Sequence, residues 1–91
     1  MSRTVYVNGQ YLPEKDAKIS IFDRGFLMAD GIYEVTSVLG GKLIDFDGHF
    51  MRLGRSLNEL DMPSPISKEA LLAIHRKLIK YNDVDEGMIY M

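Results

Sequence analysis

Ninety-one residues, 46% apolar and 26% charged, suffice for one small domain with a modest core and are too evenly balanced for a disordered or membrane-embedded chain. A formal net charge of −2 leaves no electrostatic footprint for nucleic acid or an anionic membrane, which points to a small-molecule ligand or a protein partner. Cysteine is absent, so disulfides, thiolate catalysis and Cys-ligated zinc are excluded, and a reducing cytoplasm is the expected setting.

In chain order, Met1 to Thr4 carries no apolar run of signal-peptide kind. Thr4–Val7 and Gln10–Leu12 flank Asn8-Gly9, two residues that tolerate positive φ, and so form a hairpin closed by Pro13. Glu14 to Ser20 reads as loop, and Ile21 to Ala29 as irregular chain or a short helical turn. The β-branched run Ile32–Leu39 reads as a central strand. Gly40-Gly41 turns it back into Lys42–Asp45, a second hairpin.

Asp47 is the expected N-cap of a helix reaching Asp61, with Phe50, Leu53, Leu57 and Leu60 in one apolar stripe. Pro63 and Pro65 break the chain. Ser67 then caps a second helix, with Glu69 in its first turn and Leu71, Ile74, His75 and Leu78 on its core face. Its apolar run Ala70–Ile74 is far below the ~20 residues of a membrane span. Asn82-Asp83 ends this helix, Gly87 precedes a last strand, and Met88–Met91 has the look of a strand interrupted as it begins, as in a fragment. The fold class is α+β, a mainly antiparallel sheet of two hairpins plus a returning strand, with two helices.

Several residues invite a chemical reading. His49, Arg52 and Ser56 project together beside the apolar stripe, where a guanidinium is placed to grip an anion. On spacing alone the commoner role for an arginine there is to cover the sheet or pair with a carboxylate. Tyr33 and Glu34 alternate on a strand, so they face opposite sides, and either can be simply structural. His75 reads as a core histidine. Asp45, Asp47 and His49 imitate a metal cluster, but Asp47 is explained as a cap and no further ligand converges on it.

These residues also carry a resemblance. Asp23-Arg24-Gly25 through Asp30-Gly31-Ile32-Tyr33-Glu34-Val35 is similar to the "DRG…GDGVYE" stretch of class IV (fold type IV) pyridoxal-phosphate aminotransferases. Asp47 to Leu53 resembles the "xxHxxRL" helix of that family, and the likeness extends over essentially all 91 residues. It implies that Arg52 holds the phosphate of pyridoxal 5'-phosphate, that His49 supports it, and that Tyr33 and Val35 line the substrate pocket. Glu34 takes a supporting role only. Tyr33 resembles the D-amino-acid enzymes, whereas the branched-chain enzymes tend to carry Phe there.

The resemblance further implies a cytoplasmic homodimer that interconverts amino acids and 2-oxo acids. Residues 1–91 would be its N-terminal domain, cut before the C-terminal domain and the Schiff-base lysine, with no catalytic residue of their own. The alternatives are a branched-chain aminotransferase, an aminodeoxychorismate lyase of the same fold, or a non-enzymatic interaction module.

Overall fold

The computed structural model describes residues 2–91. Its first element pair is the hairpin β1 (Thr4–Val7) and β2 (Gln10–Pro13), joined by Asn8 and Gly9 at φ 49° and 86°. Two positive φ values in succession match the twist of the flanking strands, which explains why Asn-Gly stands there. The hairpin forms a sheet of its own, with Val7 opposite Gln10. A 3-10 turn over Glu14–Asp16 follows where loop was expected, and Arg24–Met28 forms the short helix α1. Asp23 caps α1 by accepting from the Gly25 and Phe26 amides.

The second sheet has the order β4-β3-β5, with β3 at Val35–Leu39, β4 at Lys42–Leu43 and β5 at Glu86–Tyr90, all antiparallel. Ile32–Glu34, expected within the strand, lies outside β3. Only Glu34 continues the ladder, exchanging amide–carbonyl bonds of 3.0 and 2.9 Å with Met91. β4 is shorter than expected because Ile44 already turns toward α2. β5 is longer and includes Gly87.

Helix α2 (Phe46–Glu59) begins one residue before the expected cap, and the cap is Asp45. Asp45 adopts φ 55°, a conformation Asp tolerates, and its carboxylate accepts from the Gly48 amide at 3.2 Å. Asp47 is left to pair with Lys68 at 2.8 Å. Helix α3 (Lys68–Tyr81) is capped by Ser67 as its sequence predicts, the hydroxyl accepting from the Ala70 amide.

Phe46, Leu53, Leu57 and Leu71 form the core, with Phe50, Ile32, Leu43 and Met91 packed around it. Leu53 and Leu57 occupy the expected stripe. Leu60, expected with them, is 42% exposed because the helix has ended and the chain turns away, while Phe46 supplies the extra turn at the other end. His75 is buried, and its Nδ1 lies 2.9 Å from the Leu71 carbonyl, to which it must donate. Its ring meets Phe46 edge-on at 5.2 Å, so it is a core histidine. No helix among the described residues is long and apolar enough to cross a membrane.

Candidate functional site

The alternation of β3 and its approach places side chains on two faces. Glu34, Thr36 and Val38 point to the helix side and are buried; Tyr33, Val35, Ser37 and Leu39 point to the other. Glu34 is thus a carboxylate carried into the core side of the sheet, only 5% exposed, and a buried charge requires partners.

Helix α2 provides them. Arg52 Nε donates to Glu34 Oε2 at 2.8 Å and Arg52 Nη2 donates to Oε1 at 2.8 Å, a bidentate fork. His49, one turn earlier, places Nδ1 2.7 Å from the same Oε1. Its position follows from the i, i+3 spacing of His49 and Arg52, which sets both on one stripe of α2. The Arg52 fork, the strongest influence, together with the His49 bond, outweighs the cost of burial and holds the Glu34 carboxyl at about 2, well below its ordinary 4.5. The Arg52 guanidinium is raised in turn by Glu34 first, with smaller contributions from Tyr33 and Asp45.

Ionised Glu34 offers lone pairs and no proton, so His49 must carry hydrogen on Nδ1 and donate it. Arg52 Nη2 lies 3.4 Å from that same Nδ1; with both atoms acting as donors, this approach is a contact and no hydrogen bond. Arg52 gives Glu34 two of its five N–H donors. The side chain is 58% exposed, and the remaining three, two on Nη1 and one on Nη2, meet no acceptor among the described residues.

On the opposite face, Tyr33 is 66% exposed and stacks on Tyr90 with ring centroids 5.8 Å apart and planes 13° from parallel. Val35 is half-buried beside it and pairs in register with Tyr90. The expected site residues therefore form two groups on the two sides of one strand: His49 and Arg52 around Glu34, and Tyr33 and Val35 with Tyr90. Two open cavities lie elsewhere, one lined by Asp45, Asp47 and Arg76, the other by Tyr6, Leu57 and Ile66, and none of the four expected residues lines either.

Sequence reasoning gave Glu34 a supporting role only and missed Tyr90. Glu34 is the hub of its group, a position signalled only by an acid on the buried side of a strand that needs a cation. Tyr90 had no signal at all before the β3–β5 register was known.

The chain is 38% identical over 87 residues to the D-alanine aminotransferase of Staphylococcus aureus (strain MSSA476), covering 96% of this chain and 31% of that one. It is 41% identical over 83 residues to the aminodeoxychorismate lyase of Bacillus subtilis (strain 168), covering 91% and 28%. The chain thus spans under a third of the length of the curated relatives it matches. Its fold matches a crystal structure of the branched-chain aminotransferase from the thermophilic archaeon Thermoproteus uzoniensis with norvaline, at TM-score 0.83 and 21% identity, over 99% of this chain and 31% of that one. The family profile described as amino-transferase class IV matches residues 31–91, a stretch that contains both groups of site residues. With the greater part of its length so matched, the chain belongs to the amino-transferase class IV family.

Proposed function

We propose that residues 1–91 form the N-terminal domain of a pyridoxal-phosphate-dependent aminotransferase that interconverts D-amino acids, such as D-alanine, and 2-oxo acids. The observation that carries this reading is the exposed donor edge of Arg52. Three N–H groups remain there after the Glu34 fork is satisfied, and a phosphate dianion is the ligand whose oxygens suit them. Arg52 is assigned to the cofactor phosphate and His49 to its support. Tyr33 and Val35 are assigned to the substrate wall. The cofactor, when bound, supplies the electron sink that transamination needs; the protein binds and orients it. Its anchoring lysine and the remaining ligands belong, in this reading, to the C-terminal domain.

The D-alanine aminotransferase of S. aureus supports the substrate class, as does tyrosine at position 33. The B. subtilis relative keeps an aminodeoxychorismate lyase as the second reading, since its identity of 41% stands beside the 38% of the S. aureus enzyme. A cysteine-free composition supports a cytoplasmic location. A homodimer is supported by the exposed apolar side chains of Ile19, Ile21, Phe22, Phe26, Leu27 and Met28.

In the full-length protein, Arg52→Ala is expected to weaken pyridoxal 5'-phosphate binding by about 10- to 100-fold, the worth of one or two charge-assisted bonds. Unchanged affinity in a folded variant would remove Arg52 from the site. A panel of D- and L-amino acids with 2-oxo acids, and of chorismate-derived amines, separates the substrate readings by turnover.

A further inference from the structure

We infer that Glu34 is the positioning residue of the phosphate-binding arginine: by occupying the Nε–Nη2 edge of Arg52, it fixes the guanidinium plane and presents the remaining edge to a phosphate monoester. The inference rests on the reading of Arg52 as the phosphate-holding residue. It goes further by assigning the specificity for the phosphate to a buried carboxylate that never touches it.

Glu34 is ionised and buried, an arrangement that costs several kcal/mol unless compensated, and a well-packed apolar pair would serve the fold as well. Among the described residues its compensation comes from two groups on one stripe of α2, the fork from Arg52 and the Nδ1–H of His49. A fork has two contact points, which stops rotation of the guanidinium about its own bond, and the His49 donor on Oε1 stops the carboxylate from turning away. Arg52 is otherwise a long side chain, more than half exposed, that would sample many rotamers. Ordering it before a ligand arrives removes that cost from binding.

Charge makes the inference testable by sign. Arg52 and Glu34 cancel, so a dianion approaching the pair meets directional donors without a net positive field. If charge alone governed, removing the Glu34 negative charge would tighten phosphate binding. If positioning governs, the same change loosens it, since Gln turns one of two acceptors into a donor facing other donors.

The test uses apoenzyme of the full-length protein, titrated separately with pyridoxal 5'-phosphate and with pyridoxal, which lacks the phosphate. Glu34→Gln is expected to weaken the phosphate ester by about tenfold or more and to leave pyridoxal unchanged. Glu34→Asp keeps the charge but draws the carboxylate back from Arg52, and is expected to lose the same preference. It also serves as the second variant should Glu34→Gln fail to fold, as judged by its Tm. Tighter or unchanged phosphate-ester binding in either folded variant overturns the inference, and so does an equal loss for both ligands. If Arg52→Ala loses the phosphate preference while the Glu34 variants keep it, the positioning role fails and the reading of Arg52 stands. If Arg52→Ala keeps it, that reading fails first.

Discussion

Two buried ionisable side chains dominate the residue scale, and they titrate in separate windows. His75 is held neutral by burial, which lowers its pKa despite the bond to the Leu71 carbonyl. An unfolded histidine takes up its proton near pH 6.5, so the folded state binds fewer protons below that value and loses stability as pH falls. Glu34 is depressed from 4.5 to about 2, so its contribution is complete above 4.5 and disappears as pH falls toward 2. Denaturant midpoints of the full-length protein are therefore expected to decline in two steps, one beginning below about pH 6.5 and one below about 4.5. Glu34→Gln should flatten the second step while costing about 2–3 kcal/mol at neutral pH, through donors left facing an amide. An unaltered lower step in that variant would mean that Glu34 does not carry the acid sensitivity. The opposed facing of Tyr33 and Glu34 was legible from strand alternation alone. That Arg52 and His49 both reach Glu34 was not, because it depends on the distance between β3 and α2, which no local pattern encodes.

At the scale of elements, the β1–β2 hairpin has the weakest claim to independence. A two-stranded sheet is marginal by itself in water, and this one shares no strand with the second sheet. Asn82, at the C-terminal end of α3, ties it down: Oδ1 accepts from the Thr4 amide at 2.8 Å, and Nδ2 donates to the Thr4 carbonyl at 2.9 Å and to the Leu78 carbonyl at 2.8 Å. Tyr11 extends the contact, meeting Tyr6 and Tyr81 edge-on at 5.0 and 5.3 Å. Asn82→Ala leaves part-buried backbone groups of Thr4 without partners and is expected to cost about 1–3 kcal/mol. Amide exchange should accelerate in β1 and β2 and stay slow in β3 and β5; uniform acceleration would show the hairpin to be integral to the whole domain. Both hairpin turns were legible because Asn8-Gly9 and Gly40-Gly41 all sit at positive φ, the one backbone demand that residue type announces directly. Helix boundaries were less so. Asp45 and Asp47 are chemically equal cap candidates, and Gly48 decides between them, since a Cβ there would collide with the Asp45 carboxylate that closes the cap.

At the scale of the whole molecule, what stands out is the amount of apolar surface left in the open. Ile19, Ile21, Phe22, Phe26, Leu27 and Met28 are all more than half exposed within one ten-residue stretch, and Tyr33, Leu39, Met88 and Tyr90 are similarly exposed on β3, its approach and β5. Soluble proteins rarely leave such a contiguous stretch open to water, so it is a surface that expects cover from more of the protein or from a second copy. The relatives, more than three times the length of this chain, have the mass to provide it. Expressed alone, residues 1–91 are expected to self-associate and to bind a hydrophobic dye, whereas the full-length protein should do neither beyond a defined oligomer. Phe22→Asp with Phe26→Asp places two charges in the exposed segment without touching the core of Phe46, Leu53, Leu57 and Leu71. That double variant should restore a monodisperse 91-residue species, and in the full-length protein it should weaken whichever contact covers the segment. Sedimentation at several concentrations measures both. A 91-residue chain that is monomeric, soluble and indifferent to these two charges would show that the exposed segment needs no cover.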